Sequence, residues 1–288
     1  MSYVVSKSFE LSVIGGEFMS EQEAMVLSTD RMNALKDGGI GWITFNNPAR
    51  RNAISIEMRI ALIEILTEFQ RDGAVRVVVM KGAGDKAFVA GSDISEFKDR
   101  RATPEQAEEY RLASDNLDRA YEKLEKPLIA MIQGACLGAG LSTALKADLR
   151  VSAGDAQFGI PAGRLGLVYN YQSLKRVMEI VGPARAMEMV FTARRYSADE
   201  ALQMGLVHEI ALHGNLETRV RELAATIAQN APLSVRGGKL MIKEMMKDPA
   251  ERNLDLCASL VKEAFASEDY REGRTAFMEK REPQFKGR

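Results

Sequence analysis

Residues 133–148 read Gln133-Gly-Ala-Cys-Leu-Gly-Ala-Gly-Leu-Ser-Thr-Ala-Leu-Lys-Ala-Asp148, and this stretch decides what fold the chain can adopt. It follows the short apolar run 128–132 and leads into Leu-Ser-Thr-Ala-Leu, a helix-compatible segment. Small residues at Gly134, Ala135, Gly138, Ala139 and Gly140 let the backbone turn sharply and approach a ligand closely. A helix beginning there has free N–H groups in its first turn and the positive end of its dipole, a fit for an oxyanion such as an enolate. A second reading of the same residues is that the glycines only permit tight helix–strand packing.

The surrounding composition bounds the function. With 288 residues the chain can bury a full core. Net charge is −1, so no basic field points to nucleic acid or to an anionic membrane. The pairs Arg50-Arg51, Arg100-Arg101 and Arg194-Arg195 read as solvated residues or local anion contacts. Two cysteines, Cys136 and Cys257, make neither a disulfide framework nor a metal site, and two histidines, His208 and His213, argue against a histidine-rich metal centre. The first eighteen residues fit neither a secretory signal nor a transit peptide. Met19 looks like a second start, with residues 1–18 an extension. No apolar run approaches membrane-spanning length, and a cytoplasmic protein is expected.

Outward from the glycine-rich stretch, period and punctuation predict the elements. Residues 25–32 and 40–45 flank Lys-Asp-Gly-Gly, a hairpin signal. Residues 55–70 form an amphipathic helix with Met58, Leu62, Ile65 and Phe69 on one face. Residues 75–80 are a continuously apolar, β-branched run, hence a buried strand. Thr103-Pro-Glu-Gln106 carries the capping box of the next helix, whose inward face is Tyr110, Ala113, Leu117, Tyr121 and Leu124. A strand at 128–132, the glycine turn, a helix to residue 146 and a strand at 149–152 follow. Ser197-Ala-Asp-Glu200 is another capping box, 207–210 is the last strand, and the remainder reads as helix broken near Pro232 and Pro249. The expected division is an extension at 1–24, an α/β core at 25–210 and a helical, oligomerising region at 211–288.

In this order the segments resemble the crotonase (enoyl-CoA hydratase/isomerase) superfamily. Asn47-Pro-Ala-Arg-Arg-Asn-Ala-Ile54 is similar to its Arg-Pro-x-x-x-Asn-Ala-Leu loop, and Phe88-Val-Ala-Gly-Ser-Asp-Ile94 to its Phe-x-Ala-Gly-Ala-Asp-Ile segment. Residues 126–148 match its Lys-Pro-x-Ile-Ala and glycine-rich stretch. Val181-Gly-Pro-Ala-Arg-Ala186, Phe191-Thr-Ala193, Gly205-Leu-Val207 and Glu272-Gly-Arg-Thr-Ala-Phe277 match later landmarks. The resemblance implies an α/β, crotonase-like spiral of strand–strand–helix units with a C-terminal all-helical region, assembled as a homotrimer or a dimer of trimers. It implies an acyl-CoA substrate, with coenzyme A present only as part of the thioester and no separate cofactor or metal. Two main-chain N–H groups would hold the thioester oxygen; by position these belong to Ser92 and Ala139. Ala90, Asp93, Ile94, Gly138, Pro161 and Leu165 complete the expected coenzyme A site. Arg50 and Arg51 would lie near its phosphates or ribose, a solvated loop being the alternative. Phe277 and Lys280 match positions that reach the adenine end from a neighbouring subunit, ordinary helix packing being the alternative for Phe277.

The chain also departs from the pattern. The two glutamates with which the family's hydratases activate and deliver water fall on Ser142 and Ala162. Hydration needs a positioned base and acid, which neither residue supplies. Tyr169-Asn170 is similar to the methylmalonyl-CoA decarboxylase branch, although that branch usually keeps a carboxylate where Ser142 stands. Carbon–carbon cleavage of a carboxyacyl-CoA, with Tyr169 orienting the leaving carboxylate and Arg164 adding charge if it turns inward, therefore ranks above simple hydration. The alternatives are a non-catalytic acyl-CoA-binding homologue and a true hydratase with displaced catalytic groups. For Tyr169 the competing reading is a packing aromatic whose hydroxyl bonds backbone. Asp93 is expected to brace its turn or cap the following helix, His208 to be structural, and Cys136 to be an inert buried residue.

Overall fold

Gly38 and Gly39 take φ of 57° and 85°, the paired left-handed conformation of a two-residue hairpin turn. They join β2 (Met32–Asp37) to β3 (Ile40–Phe45) in antiparallel register, from Asp37↔Ile40 out to Met32↔Phe45. The first hairpin strand therefore lies at 32–37, not at the predicted 25–32, because the turn length sets the register and burial then alternates along Met32, Asn33 and Ala34. The computed structural model of the chain describes residues 23–93, 96, 103–212 and 214–288. Its first strand, β1 (Glu23–Ala24), pairs with Lys36 and Leu35, two residues inside what the sequence assigned to the extension.

From β3 onward the chain winds as a spiral in which each turn gives one strand to a seven-stranded sheet, one to a four-stranded sheet, and then a helix. After α1 (Ile56–Arg71), the first turn is β4 (Val77–Gly82), β5 (Ala87–Val89) and α2 (Pro104–Lys123). The second is β6 (Leu128–Ile132), β7 (Ala135–Leu137) and α3 (Ala139–Ala144). The third is β8 (Leu149–Ala153), β9 (Gln157–Gly159) and, beyond a 3-10 turn at Pro161–Leu165, α4 (Tyr171–Thr192), broken at Gly182-Pro183. Then come β10 (Tyr196–Ser197), α5 (Ala198–Gln203), β11 (Glu209–Ala211) and four helices: α6 (Leu216–Ala228), α7 (Pro232–Met245), α8 (Leu254–Ala266) and α9 (Glu268–Glu279). The large sheet runs β1-β2-β3-β4-β6-β8-β11 and the small one β10-β9-β7-β5. Within them β3-β4-β6-β8-β11 and β5-β7-β9 are parallel. This is the expected α/β strand–strand–helix spiral with helices at its C-terminal end.

The central parallel strands β4 and β6 are buried on both faces, which is why 77–80 and 128–132 read as unbroken apolar runs. In β4, Val78 and Met80 face the main core with α1 and the small sheet, while Val77 and Val79 face a second cluster closed by Leu216, Val220 and Ala224 of α6. The helical region thus begins as a layer of the core, and β11 extends the sheet to Ala211. Both predicted capping boxes form, at Thr103 and Ser197. Several boundaries move, among them the end of the helix read to residue 146, which lies at Ala144. The strand placed at 75–80 occupies Val77–Gly82, and the one at 207–210 occupies Glu209–Ala211. The middle of the glycine-rich stretch is not turn: Ala135–Leu137 is a strand between β5 and β9. Ala-Cys-Leu is too short to carry a local β signal; the two neighbouring strands supply it. Among the described residues no helix is long and apolar enough to cross a membrane.

Candidate active site

The loop after β3 is set by Asn52. Arg51 and Asn52 both take left-handed φ, 50° and 57°, a conformation asparagine tolerates better than most residues. The Asn52 side chain is fully buried. Its Nδ2 donates to the Ala83 and Ala87 carbonyls at 3.0 and 2.8 Å, and its Oδ1 accepts the Asn47 N–H at 3.0 Å. This clamp delivers Ile54 to the segment after β5, where Ile54 N–H donates to Gly91 and its carbonyl accepts Asp93 N–H. In such a parallel bridge the residue between the two partners turns its own N–H to the opposite side, so Ser92 N–H faces away from Ile54. Asp93, buried, accepts Arg50 Nη1 at 3.1 Å and braces the turn as expected. Arg50 is exposed but held by that ion pair, Arg51 is exposed beside it, and Ala90 N–H donates to the Arg51 carbonyl. Asn52 was quoted in the sequence motif without a role; a buried asparagine bonding three main-chain groups cannot be recognised until the strand it clamps is placed.

Facing this segment, Gly138 caps α3 with φ 54° and ψ −118°, a conformation open to glycine alone, and donates to Gly159 at 2.9 Å. A Cβ on Gly140 would lie 1.9 Å from the Val89 carbonyl oxygen, and one on Gly91 would lie 3.8 Å from that of Leu137. The end of β5 and the start of α3 are thus pressed side by side. The packing reading of the glycine-rich stretch holds at Gly140, and Gly138 turns the chain so that α3 opens on Ala139. Ala139 has negative φ, as a main-chain donor at a helix start requires. Neither Ser92 N–H nor Ala139 N–H has a protein acceptor among the described residues.

Tyr169 closes the other side. Its hydroxyl donates to the Gly138 carbonyl at 2.8 Å and shares a short hydrogen bond with Ser142 Oγ. A phenol has one proton, so with that proton on Gly138 it is Ser142 that donates to Tyr169. Burial pushes the Tyr169 phenol up to about 12, with the Ser142 hydrogen bond pulling the other way, so the group is a donor throughout the physiological range. The sequence expectation that this hydroxyl addresses a leaving carboxylate is thereby revised: here it bonds backbone. The backbone in question is the peptide whose other end is Ala139 N–H, and the Ser142 N–H donates to the same carbonyl at 3.0 Å.

The remaining expected residues divide into near and far. Pro161 lies 3.8 Å from where a Gly138 Cβ would be, and Ala162 is buried behind it. Leu165 and Arg164 are exposed on the same 3-10 turn, so Arg164 does not turn inward. Phe277, 82 % exposed, and Lys280, which ends α9 in left-handed conformation, belong to the C-terminal helices and make no hydrogen bond to the turn residues. Ile94 and His213 lie outside the described residues. Cys136 is buried and its thiol is pushed up by that burial. His208 accepts the Arg150 N–H on Nδ1, a structural bond. Sequence reasoning placed Tyr110 on the inward face of α2 without a site role; its hydroxyl in fact meets Ser92 Oγ at 3.3 Å and accepts Arg59 Nη2 at 2.7 Å.

Comparison with known proteins finds similarity over most of the chain. Residues 36–288 match the family described as enoyl-CoA hydratase/isomerase. The chain is 34% identical over 246 residues to the short-chain-enoyl-CoA hydratase of Clostridium acetobutylicum, covering 85% of this chain and 94% of that protein. It is 33% identical over 266 residues to carnitinyl-CoA dehydratase of Escherichia coli O157:H7, covering 90% and 100%. A crystal structure described as an enoyl-CoA hydratase/carnithine racemase from Magnetospirillum magneticum superposes with a TM-score of 0.83 at 34% identity, over 91% of this chain and 97% of that one.

Proposed function

Because the chain belongs to the enoyl-CoA hydratase/isomerase family, we propose that it binds an acyl-CoA thioester and stabilises the enolate formed on it through the N–H groups of Ser92 and Ala139. The observation that carries this reading is that both N–H groups lack acceptors among the described residues while the segments bearing them are packed together. Preorganised donors of this kind act on charge as it develops. Coenzyme A enters only as part of the substrate.

The reaction we assign is loss of carbon dioxide from a short carboxyacyl thioester. The bond between the α-carbon and the carboxylate breaks, its electron pair passes into the enolate, carbon dioxide leaves, and a proton then returns to the α-carbon. This needs an oxyanion site and no water-activating pair. Ser142, bonded to Tyr169, and Ala162, buried, provide neither base nor acid for water addition. Tyr169 acts through the Gly138–Ala139 peptide: its proton fixes the carbonyl and polarises the N–H at the other end of the same unit. Hydration is the second reading, favoured by the hydratase names of relatives at 32–34% identity. We place self-association on the exposed apolar residues Leu165, Leu167, Val168 and Tyr171 and on the C-terminal helices, which carry Phe265, Phe277 and Met278. In a trimer or paired trimers Phe277 and Lys280 would reach a neighbour's coenzyme A.

Mass spectrometry of malonyl-, methylmalonyl- and crotonyl-CoA incubated with the purified protein tests the assignment. Loss of 44 Da, the mass of carbon dioxide, from a carboxyacyl thioester is the expected result. Water addition to crotonyl-CoA at enzymatic rates, with the carboxyacyl thioesters untouched, would overturn the decarboxylation reading in favour of hydration. Saturable binding without any mass change would move the chain to the non-catalytic alternative.

A further inference from the structure

The segment after β5 departs from its family pattern at one position that bears on chemistry: serine stands at 92 where the motif has alanine. A main-chain donor gains nothing from that hydroxyl. Its oxygen lies 3.3 Å from Tyr110 Oη on α2, and Tyr110 Oη in turn accepts Arg59 Nη2 from α1 at 2.7 Å. The Arg59 guanidinium also sits 4.9 Å from the Tyr110 ring centroid. Arg59 is half-buried, its Nε is buried without a hydrogen-bond partner, and no carboxylate among the described residues forms an ion pair with it. A cation, a phenol and a hydroxyl are therefore lined up so that they end on the residue expected to hold the thioester oxygen.

The direction of the hydrogen bonds follows from the charge at the far end. An oxygen that accepts from a guanidinium is a stronger donor through its own proton. With Tyr110 donating to Ser92 Oγ, the Ser92 proton is released for a ligand. A thioester oxygen on Ser92 N–H lies about 3 Å from that nitrogen, and the Oγ of the same residue is itself about 3 Å from its nitrogen. An acceptor two or three bonds from the thioester carbonyl is thus within reach of the Ser92 hydroxyl. We propose that this hydroxyl, held by Tyr110 and Arg59, is a specificity-determining donor selecting short acyl thioesters that carry a carboxylate on the carbon next to the thioester carbonyl. The inference rests on the acyl-CoA reading above. It also explains why the cation stands one residue back. A direct ion pair would hold the carboxylate more tightly in its ground state and oppose the loss of carbon dioxide more strongly, whereas a neutral hydroxyl orients it at a smaller cost of the same kind.

Equilibrium binding by calorimetry tests the proposal with two probes, butyryl-CoA and sulfoacetyl-CoA. The second presents an anion at the same position and cannot lose carbon dioxide. The wild-type protein is expected to prefer sulfoacetyl-CoA by about tenfold or more, the scale of one hydrogen bond to a charged group. Ser92→Ala, which keeps the main-chain donor, and Tyr110→Phe should each reduce that ratio to within about threefold, and the double variant should go no further, because the two groups act as one unit. The ratio is the readout, since a purely structural role lowers both affinities together and leaves it unchanged. A ratio that survives Ser92→Ala, or one near unity in the wild type, overturns this inference and leaves the acyl-CoA reading standing. No binding of either probe overturns both.

Discussion

Replacing Tyr169 by phenylalanine removes one oxygen and separates two accounts of what that oxygen does. The hydroxyl donates to the Gly138 carbonyl and accepts from Ser142. Its net worth to folding is that of a neutral hydrogen bond, about 0.5–1.5 kcal/mol. The lower end is expected, because Ser142 Oγ already lies 3.5 Å from the Gly138 carbonyl and can turn its proton there. For turnover, deleting a whole oxyanion donor typically costs about 3–4 kcal/mol. Tyr169 only polarises such a donor, and the cooperative gain per hydrogen bond is about 10–30%. The expected loss is therefore about 0.3–1 kcal/mol of transition-state stabilisation, or about two- to fivefold in kcat. Steady-state kinetics on whichever thioester the mass-spectrometric panel identifies, with thermal unfolding as a control, measures this. A fall of about a hundredfold with normal unfolding would refute the reasoning, since that is the scale of a group touching the reacting atoms. No change in kcat would equally exclude polarisation of the Ala139 peptide. Ser142→Ala added to Tyr169→Phe removes the substitute donor, so the double variant should be slower than either single one.

Two further outcomes follow from buried polar groups. Asn52→Ala leaves the Ala83 and Ala87 carbonyls and the Asn47 N–H without their partner and puts alanine at a left-handed φ. At about 1–3 kcal/mol per buried unsatisfied group, part of it relieved by water, a loss of about 3–5 kcal/mol is expected from the urea midpoint, and one below about 1 kcal/mol would contradict the clamp. Tyr169, held up to about 12 against an unfolded value of about 10, favours the protonated folded state. Its contribution to stability is fully present below pH about 10 and is lost as pH rises through about 12. Phenolate absorbance, taken as wild type minus Tyr169→Phe, should show no step before pH about 11; a step near pH 10 would show the hydroxyl to be solvated.

How much of the site was legible is best seen from particular residues. Ser92 and Ala139 are assigned as donors by position in a motif, and Gly138 was picked out as a small residue that lets the backbone turn. Asp93 was read as a brace and is one. The roles of Asn52, Arg59 and Tyr110 were not legible: each has partners 31 to 51 positions away, and no local pattern distinguishes a clamp or a relay from solvated or core residues. For Tyr169 the destination of the hydroxyl proton depends on Gly138, 31 residues earlier in the chain.

The sequence by itself determined the apolar strands near 40–45, 75–80, 128–132 and 149–152, the two capping boxes and the amphipathic face of α1. Those follow from periodicity, caps and residue identity, which act within a few residues. Tertiary structure alone decided that Ala135–Leu137 is a strand, that the hairpin registers at 32–37, that α6 closes the sheet, and that the Tyr169 proton sits on the Gly138 carbonyl. In each case the energy comes from hydrogen bonds and apolar contacts between segments distant in sequence, so the residues involved carry no signal until the partner segment is in place.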